Sequence, residues 1–465
     1  MATTETIRIS LLYESNKVSR IAVKTPSGLT RRVNLPCIVQ QGGTWGSILC
    51  SNSIDTLGKR CKLENRHIYM YKKMAKILPL SFVDDLLSIS KCGDQSVQMN
   101  SYLNTHIELK KLRFHVTDVK GNTKCHKMHI GKRNPSCPLL KLHGTVMPEV
   151  KEEKYLGDIV SCDGKNTKNI RNRMSKGLGA INQIFNILKS VYLGRHYFEV
   201  ALLLRQSLLL SKILTNAEIW YNLRPSEICE LESMDKSFFQ KLLKVPQSTP
   251  SEAFFLELGV LPIGTIIKVR RICYLHNVLK RKKSSMLYRF FITQWLKPCR
   301  GDWVLQVQRD LQDFQIVMDL DEISSYSKDS FKRLVKSRGE AYTFAELSKI
   351  QALHSKLKNL NYVDISIRQY FQDENLTVDE KITVFKYRTR MAKYGNNFKQ
   401  GKSVVQKCPV CLSHIDNQEL SFHCSFILKK IEITNTYEDI FIEAIDKNLA
   451  ETLTKIDQIR DHFIT

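Results

Sequence analysis

The first 160 residues alternate short apolar runs with turn signals, whereas from about Lys165 onward apolar residues recur every three or four positions. Residues 18–24 and 30–39 are β-rich runs joined by Thr25-Pro26-Ser27-Gly28, a turn signature. A helix is expected over 46–60. Residues 77–82 and 86–90 are two short apolar strands flanking Asp84-Asp85, the pattern of a tight hairpin. Val97, Leu103, Ile107 and Leu112 predict a helix over 96–114, and short strands are expected at 127–130, 139–143 and 154–160.

Beyond that point Ile170, Met174, Ile181, Ile184, Phe185 and Leu188 mark one apolar helix face, and Gly194 ends it. A more apolar helix is expected over 196–221, stopping before Arg224-Pro225, with further helices over 227–243 and 263–283. The last of these carries a basic run, Lys268 to Lys283, which is either a solvated face or a surface for a polyanion. Residues 300–400 continue the helical pattern without a functional motif. Residues 394–407, rich in Gly, Lys, Gln and Asn, read as a linker to a cysteine-bearing module and a final amphipathic helix over 436–462. Four segments follow: 1–160, 161–262, 263–393 and 394–465.

With 465 residues, 43% hydrophobic and 25% charged, the chain has globular composition and is not wholly disordered. Lys and Arg number 71 against 46 Asp and Glu, a formal charge of +25 that suits nucleic acid or an acidic membrane. The membrane loses ground because the most apolar stretch, 197–214, contains Glu199, Arg205 and Lys212. The opening MATTETIRIS has no secretory pattern, and thirteen mostly scattered cysteines make no disulfide framework. The expectation is a reducing compartment, cytoplasm or nucleus, and no membrane.

Three features carry chemistry. Phe82-Val83-Asp84-Asp85-Leu86-Leu87 puts two carboxylates at an apolar hairpin tip, where negative charge is costly unless a cation is bound. About forty residues earlier, Gln41-Gly42-Gly43-Thr44-Trp45-Gly46 is a Gly-rich turn opening a helix, a place where backbone can approach phosphate or base. Cys408-Pro409-Val410-Cys411 has the spacing at which one metal ion takes both sulfurs, although a redox pair fits it too. Cys424 is a third sulfur, and His423 and His414 are alternatives for a fourth ligand. His423 is crowded by its neighbour Cys424. Trp295 and Trp303, near Lys297 and Arg300, could stack bases, though packing explains them as well.

In this order the motifs resemble the reverse transcriptases of non-LTR retrotransposons, especially the jockey-like set, over most of the chain. Gln41-Gly42-Gly43 resembles the template- and nucleotide-facing motif, and Phe82-Val83-Asp84-Asp85 the metal-binding hairpin. Lys124-Cys125-His126-Lys127-Met128 resembles the following palm strand with its lysine, and Tyr155-Leu156-Gly157-Asp158 the primer-grip region. The helices after Lys165 resemble the thumb.

The resemblance implies an α+β fold: a partial polymerase palm (antiparallel sheet plus helices), then an all-helical thumb and connector and a small zinc-knuckle-like module. It implies RNA-templated DNA synthesis with two magnesium ions, Asp84 as principal ligand and Asp85 beside it. Gln41, Gly42, Gly43 and Lys124 would border nucleotide or template. Cys408, Cys411, His423 and Cys424 would hold zinc. The partners would be an RNA template, a DNA primer and deoxynucleoside triphosphates.

One departure changes the expectation. In the family an aspartate from an earlier palm strand completes the metal site, and basic fingers precede it. Before the Gly-rich turn this sequence has only Glu5 and Glu14, and Asp55 follows the turn. Impaired polymerase activity is therefore expected, in a chain lacking the fingers and the first catalytic strand. The alternative is a non-catalytic RNA- or DNA-binding remnant using thumb, basic helix and knuckle.

Overall fold

The computed structural model describes residues 79–82, 85–109, 123–131, 138–354, 356–395, 407–442 and 444–464, together with short strands before residue 79. They divide into two units. The first comprises Met1–Glu153, Ser161–Gly164 and Lys283–Thr293, and the second Lys154–Val160, Lys165–Lys282 and Gln294–Thr465. The expected thumb, connector and cysteine-bearing segments thus share the second unit, apart from a few residues.

In the first unit β1 (Ser19–Ile21) pairs antiparallel with β4 (Val33–Leu35). Between them β2 (Lys24–Thr25) pairs with β3 (Gly28–Leu29), so one expected hairpin is two, one inside the other. The helix expected over 46–60 lies outside the described residues. β5 (Ile68–Met70) pairs with β6 (Ala75–Ile77). Next, β7 (Leu80–Phe82) pairs antiparallel with β8 (Asp85–Leu87), Phe82 opposite Asp85. The hairpin expected around the acidic pair is present but shorter, because Ile77 is already committed to β6.

Helix α1 (Gly93–Leu109) buries Met99, Leu103, His106 and Ile107 along one face. Its Asn100 and Asn104 amides both donate to the Lys141 carbonyl, at 2.6 and 3.0 Å, and so fix β9 (Lys141–Leu142). β9 turns into β10 (Thr145–Val146) through His143 and Gly144 at φ 46° and 80°, the left-handed pair a two-residue hairpin needs. The strand expected at 127–130 reduces to one parallel bridge, Lys127 with Glu149. That expected at 154–160 is itself a hairpin, β11 (Glu152–Tyr155) and β12 (Asp158–Ser161), with Leu156 and Gly157 at φ 46° and 89°. Among the described residues the strands form separate two-stranded ladders rather than one continuous sheet.

The second unit is helical. α2 (Thr167–Ser190) buries Ile170, Gly177, Ala180, Ile181, Ile184, Phe185 and Leu188, as its periodicity predicts. The tip of the β11–β12 turn is clasped onto it. Asp158 accepts from Arg173 at 2.7 Å, from Asn169 at 2.8 Å and from Asn216 at 2.5 Å, while Arg173 also donates to the Gly157 carbonyl.

The next helix departs from expectation. α3 (Tyr197–Leu204) passes into a wider π turn, Arg205–Leu210, then a short stretch Ser211–Ile213, and ends near Leu214. Asn216 at φ 60° adopts a left-handed conformation that cannot continue a helix. Arg205, where the π turn begins, is buried against Asp235 at 2.7 Å. α4 (Pro225–Leu243) starts two residues before the expected 227, with Pro at its first position and the Glu227 carboxylate accepting the Arg224 N–H at 3.0 Å.

α5 (Ser251–Leu258), α6 (Ile263–Leu279), α7 (Trp303–Asp313) and α8 (Lys328–Leu353) complete the body with α9 (Val378–Arg388) and α10 (Lys447–Ile464). α6 stops four residues short of expectation. Lys280 to Lys283 are all exposed, with no apolar face to bury, and burial rather than propensity sustains most helices. α10 begins eleven residues late, where the Asp446 carboxylate accepts the Leu449 N–H at 2.7 Å. Among the described residues no helix is long and apolar enough to cross a membrane.

A buried carboxylate joins these helices. Glu257 on α5 is fully buried. It accepts from Arg388 Nε at 2.9 Å, Tyr362 at 2.6 Å and Tyr370 at 2.7 Å. Arg388 Nη1 donates to the carbonyls of Ile440 and Ile442, at 2.8 and 2.7 Å. Gly259 makes the approach possible. It sits at φ 63°, and a Cβ there would lie 2.2 Å from the Ile367 nitrogen. Around this network Phe239 stacks on Phe254 and Phe254 on Phe385, at 5.4 and 5.9 Å.

Two outcomes are expected. Gly259→Ala combines left-handed strain of about 1–2 kcal/mol with a backbone clash, so it should cost clearly more than that in chemical denaturation. A loss below about 1 kcal/mol would contradict the close approach. The second concerns pH. Burial first, and then the charge of Glu257, push the Tyr362 and Tyr370 phenols well above their ordinary value. Unfolded tyrosines ionise near pH ~10. The stability these two contribute is therefore full below about pH 10 and is lost as pH rises beyond it. The tyrosinate absorbance owed to these two, taken as the difference from a Tyr362→Phe, Tyr370→Phe variant, should then rise together with loss of helical circular dichroism, rather than before it.

Candidate metal centre

Among the described residues, one group of three or more Cys, His, Asp or Glu side chains converges: Cys408, Cys411, His414 and Cys424, their ligand atoms all within 4.8 Å of one another. The chain between Lys407 and Ile415 is a tight reversal. The two residues form an antiparallel bridge, the Cys408 N–H donates to the His414 carbonyl at 2.8 Å, and the Cys408 carbonyl accepts from Leu412 at 2.9 Å. Leu412, at φ 56°, turns the backbone so that His414 comes back beside the two sulfurs. Cys424 arrives from a later turn, just before the short helix Ser425–Leu428, and is fully buried, as Cys408 nearly is.

The donors suit a cation. Nδ1 of His414 faces the Ile415 carbonyl at 3.1 Å, which fixes its proton there and leaves Nε2 bare. That Nε2 is buried and has no hydrogen-bond partner, a costly state that a bound metal ion relieves. Burial alone would raise the Cys411 thiol. Hydrogen bonds from the Ser413 hydroxyl and from the Ser413 and His414 backbone outweigh it and bring the thiol down to about 6, so it is a thiolate at neutral pH. Burial pushes the Cys408 thiol up, so this sulfur gains most from a cation that replaces its proton. A tetrahedral ion with metal–sulfur bonds of ~2.3 Å holds its ligands about 3.8 Å apart, close to the observed grouping.

His423 is not part of the group. It is exposed on the turn Leu420–His423, while the backbone folds the adjacent Cys424 inward. Adjacent residues point to different sides here, so the histidine that completes the set is His414, on the far limb of the Cys-x-x-Cys turn. The crowding of His423 against Cys424 was the sequence signal for this.

The segment is built into the helical unit rather than hung from it. The Asp416 carboxylate accepts the Gly395 N–H at 2.7 Å and pairs with Arg460 of α10 at 2.8 Å. Arg460 lies flat over the Tyr394 ring, 3.8 Å from its centre. Gln418 donates to the Tyr387 carbonyl at 2.8 Å, and Tyr394 to the Ser421 hydroxyl at 2.9 Å. The two tyrosine hydroxyls meet at 2.8 Å, and Tyr387 donates to Asp457 of α10 at 2.9 Å. The linker expected over 394–407 therefore begins with two anchored residues, and 396–406 lie outside the described residues.

The other predicted site residues are less fully placed. Asp84, Gln41, Gly42 and Gly43 lie outside the described residues. Asp85 opens β8 and is exposed, and among the described residues it belongs to no group of three or more metal-binding side chains. Lys124 is exposed beside Thr123, whose hydroxyl meets His126 Nε2 at 3.2 Å, and His126 pairs with Glu153 at 2.6 Å.

Cobalt(II) added to the metal-free chain should give thiolate charge-transfer and tetrahedral d–d bands. His414→Ala should weaken that binding by at least about tenfold and His423→Ala should leave it unchanged, and the reverse order would refute the ligand assignment. Chelation should lower the thermal midpoint of the helical unit, because Asp416, Gln418 and Ser421 anchor the centre to α9 and α10. No protein-family model matches the chain and no curated protein is significantly similar to it, so any functional reading rests on these residues themselves.

Proposed function

We propose that the chain is the RNA-directed DNA polymerase of a non-LTR retrotransposon, with a zinc ion in the Cys408–Cys411–His414–Cys424 centre. In this reading Asp84 is the principal magnesium ligand and Asp85 stands beside it. Gln41, Gly42, Gly43 and Lys124 border the nucleotide and template. RNA template, DNA primer and deoxynucleoside triphosphates are the substrates. Magnesium, when bound, would activate the primer hydroxyl and neutralise the leaving pyrophosphate.

The observation that carries the reading is the β7–β8 hairpin. Two short strands pair with Phe82 opposite Asp85, and in the sequence the acidic pair Asp84-Asp85 falls between the apolar residues Phe82-Val83 and Leu86-Leu87. A carboxylate pair in such a place invites a divalent cation. The formal charge of +25 supports a polyanionic substrate. Three thiolates with one imidazole favour zinc over harder metals.

A second reading is binding of nucleic acid without synthesis. It is favoured by the formal charge of +25 and the basic run Lys268 to Lys283, which suit a polyanion without any metal-dependent step.

Primer extension on an RNA template separates the two. The full chain with magnesium should extend the primer only weakly, in keeping with impaired activity, and Asp84→Ala should drop that extension to background while leaving template–primer affinity unchanged. Binding with a normal salt dependence but no extension in the parent chain would overturn the polymerase reading in favour of the second.

A further inference from the structure

Phenylalanine in the second unit is overwhelmingly interior. Phe198, Phe238, Phe254, Phe331, Phe371 and Phe385 are all essentially buried. Among the described residues, two phenylalanines break the rule: Phe426, 47% exposed, and Phe463, 41% exposed. They are far apart in sequence, but each is met by one of two consecutive lysines. Lys429 Nζ lies 5.9 Å from the Phe426 ring centre, and Lys430 Nζ lies 5.3 Å from that of Phe463. Among the described residues neither lysine forms an ion pair with a carboxylate, and the nearby Asp461 is paired with Lys393 instead, at 3.1 Å.

The patch is held in place from beneath. Phe426 lies two residues beyond the metal-site Cys424, in the short helix Ser425–Leu428, whose inward residue Ile427 is fully buried. Phe463 lies three residues beyond Arg460, which is buried against Asp416 of the same centre. Both rings therefore ride on the elements that the Cys3His group fixes.

At 47% and 41% exposure, both rings leave much of their apolar surface in water, where a stacked partner would cover it. Rings edged by unpaired ammonium groups match an unpaired base stacked on the ring, with its phosphates on the lysines. A duplex offers no free base face, and an acidic protein surface would use the lysines but not the rings.

We propose that Phe426, Phe463, Lys429 and Lys430 form a stacking platform for single-stranded nucleic acid beside the metal centre. The proposal deepens the reading above and rests on it for the class of partner. It makes the platform a binding surface, separate from the Asp84-Asp85 hairpin.

The test is fluorescence anisotropy of the full, metal-loaded chain with a labelled single-stranded oligoribonucleotide across a salt series. Phe426→Leu with Phe463→Leu should weaken binding by about tenfold or more, with the salt slope unchanged. Lys429→Gln with Lys430→Gln should lower the slope by about 1.4, two phosphate contacts on a single strand. Metal content and thermal midpoint, measured on each variant, show that it is folded. Should a folded variant prove unstable, the single changes Phe463→Leu and Lys430→Gln carry the same expectation at smaller size.

Unchanged affinity in the folded phenylalanine variants would overturn the platform while leaving the polymerase reading intact. A parent chain that binds no oligonucleotide, or binds only phosphatidylserine vesicles through these residues, would overturn both. Equal loss of single-stranded and duplex binding in the phenylalanine variants would also overturn the stacking role.

Discussion

The second unit depends on keeping one negative charge dry. Glu257 has no access to water, and a lone carboxylate in that position would cost several kcal/mol. Three donors answer it: the Arg388 guanidinium and the hydroxyls of Tyr362 and Tyr370. Burial alone would lower the Arg388 affinity for its proton, but the Glu257 charge more than reverses this, so the guanidinium keeps its charge. Removing one partner of such a pair typically costs about 3–5 kcal/mol, because the other charge is then stranded. Few single contacts in the unit could cost as much.

The same helix serves the metal centre. Arg388 and Tyr387 are consecutive at the end of α9. Arg388 turns to Glu257, whereas the Tyr387 hydroxyl reaches Asp457 and Tyr394 and its carbonyl holds Gln418. One turn of helix thus joins the charged core to the loop that carries three cysteines. A metal ion bound there would become part of the packing of α9 and α10, which distinguishes the candidate centre from a knuckle that folds alone on a flexible tether.

The sequence pattern found the helices of the second unit where apolar periodicity was strong, as in 167–190 and 225–243. It erred where a local conformation overrode periodicity. The π turn at Arg205 and the left-handed Asn216 cut the long apolar helix, because a buried Arg205–Asp235 pair and a tight corner both outrank spacing. In the first unit the acidic hairpin was legible because alternating apolar residues bracket it, but its partners were not, since pairing between short strands leaves no mark in the sequence. Of the metal ligands, Cys408 and Cys411 were visible from their spacing, and Cys424 from the resemblance to a zinc knuckle. The histidine was not, because whether His414 or His423 turns inward depends on the left-handed Leu412 and on the packing of Cys424. The Glu257 network left no trace at all. Its members are scattered singly through helical and loop sequence, and only the fold gathers them.

That scattering has a consequence for how the protein is made. Arg388 follows Glu257 by 131 residues, and Tyr370 follows it by 113. At ribosomal speeds of ~5–20 residues per second, α5 waits roughly 7–26 s before its counter-charge has even been synthesised. During that time the carboxylate must stay hydrated, so the neighbouring Phe254, Phe255 and Leu256 cannot settle into their final burial. The nascent chain thus carries an aromatic-rich segment that has no home until α9 emerges, and it is in this interval, rather than in the finished fold, that a cell's chaperones would matter most to its yield.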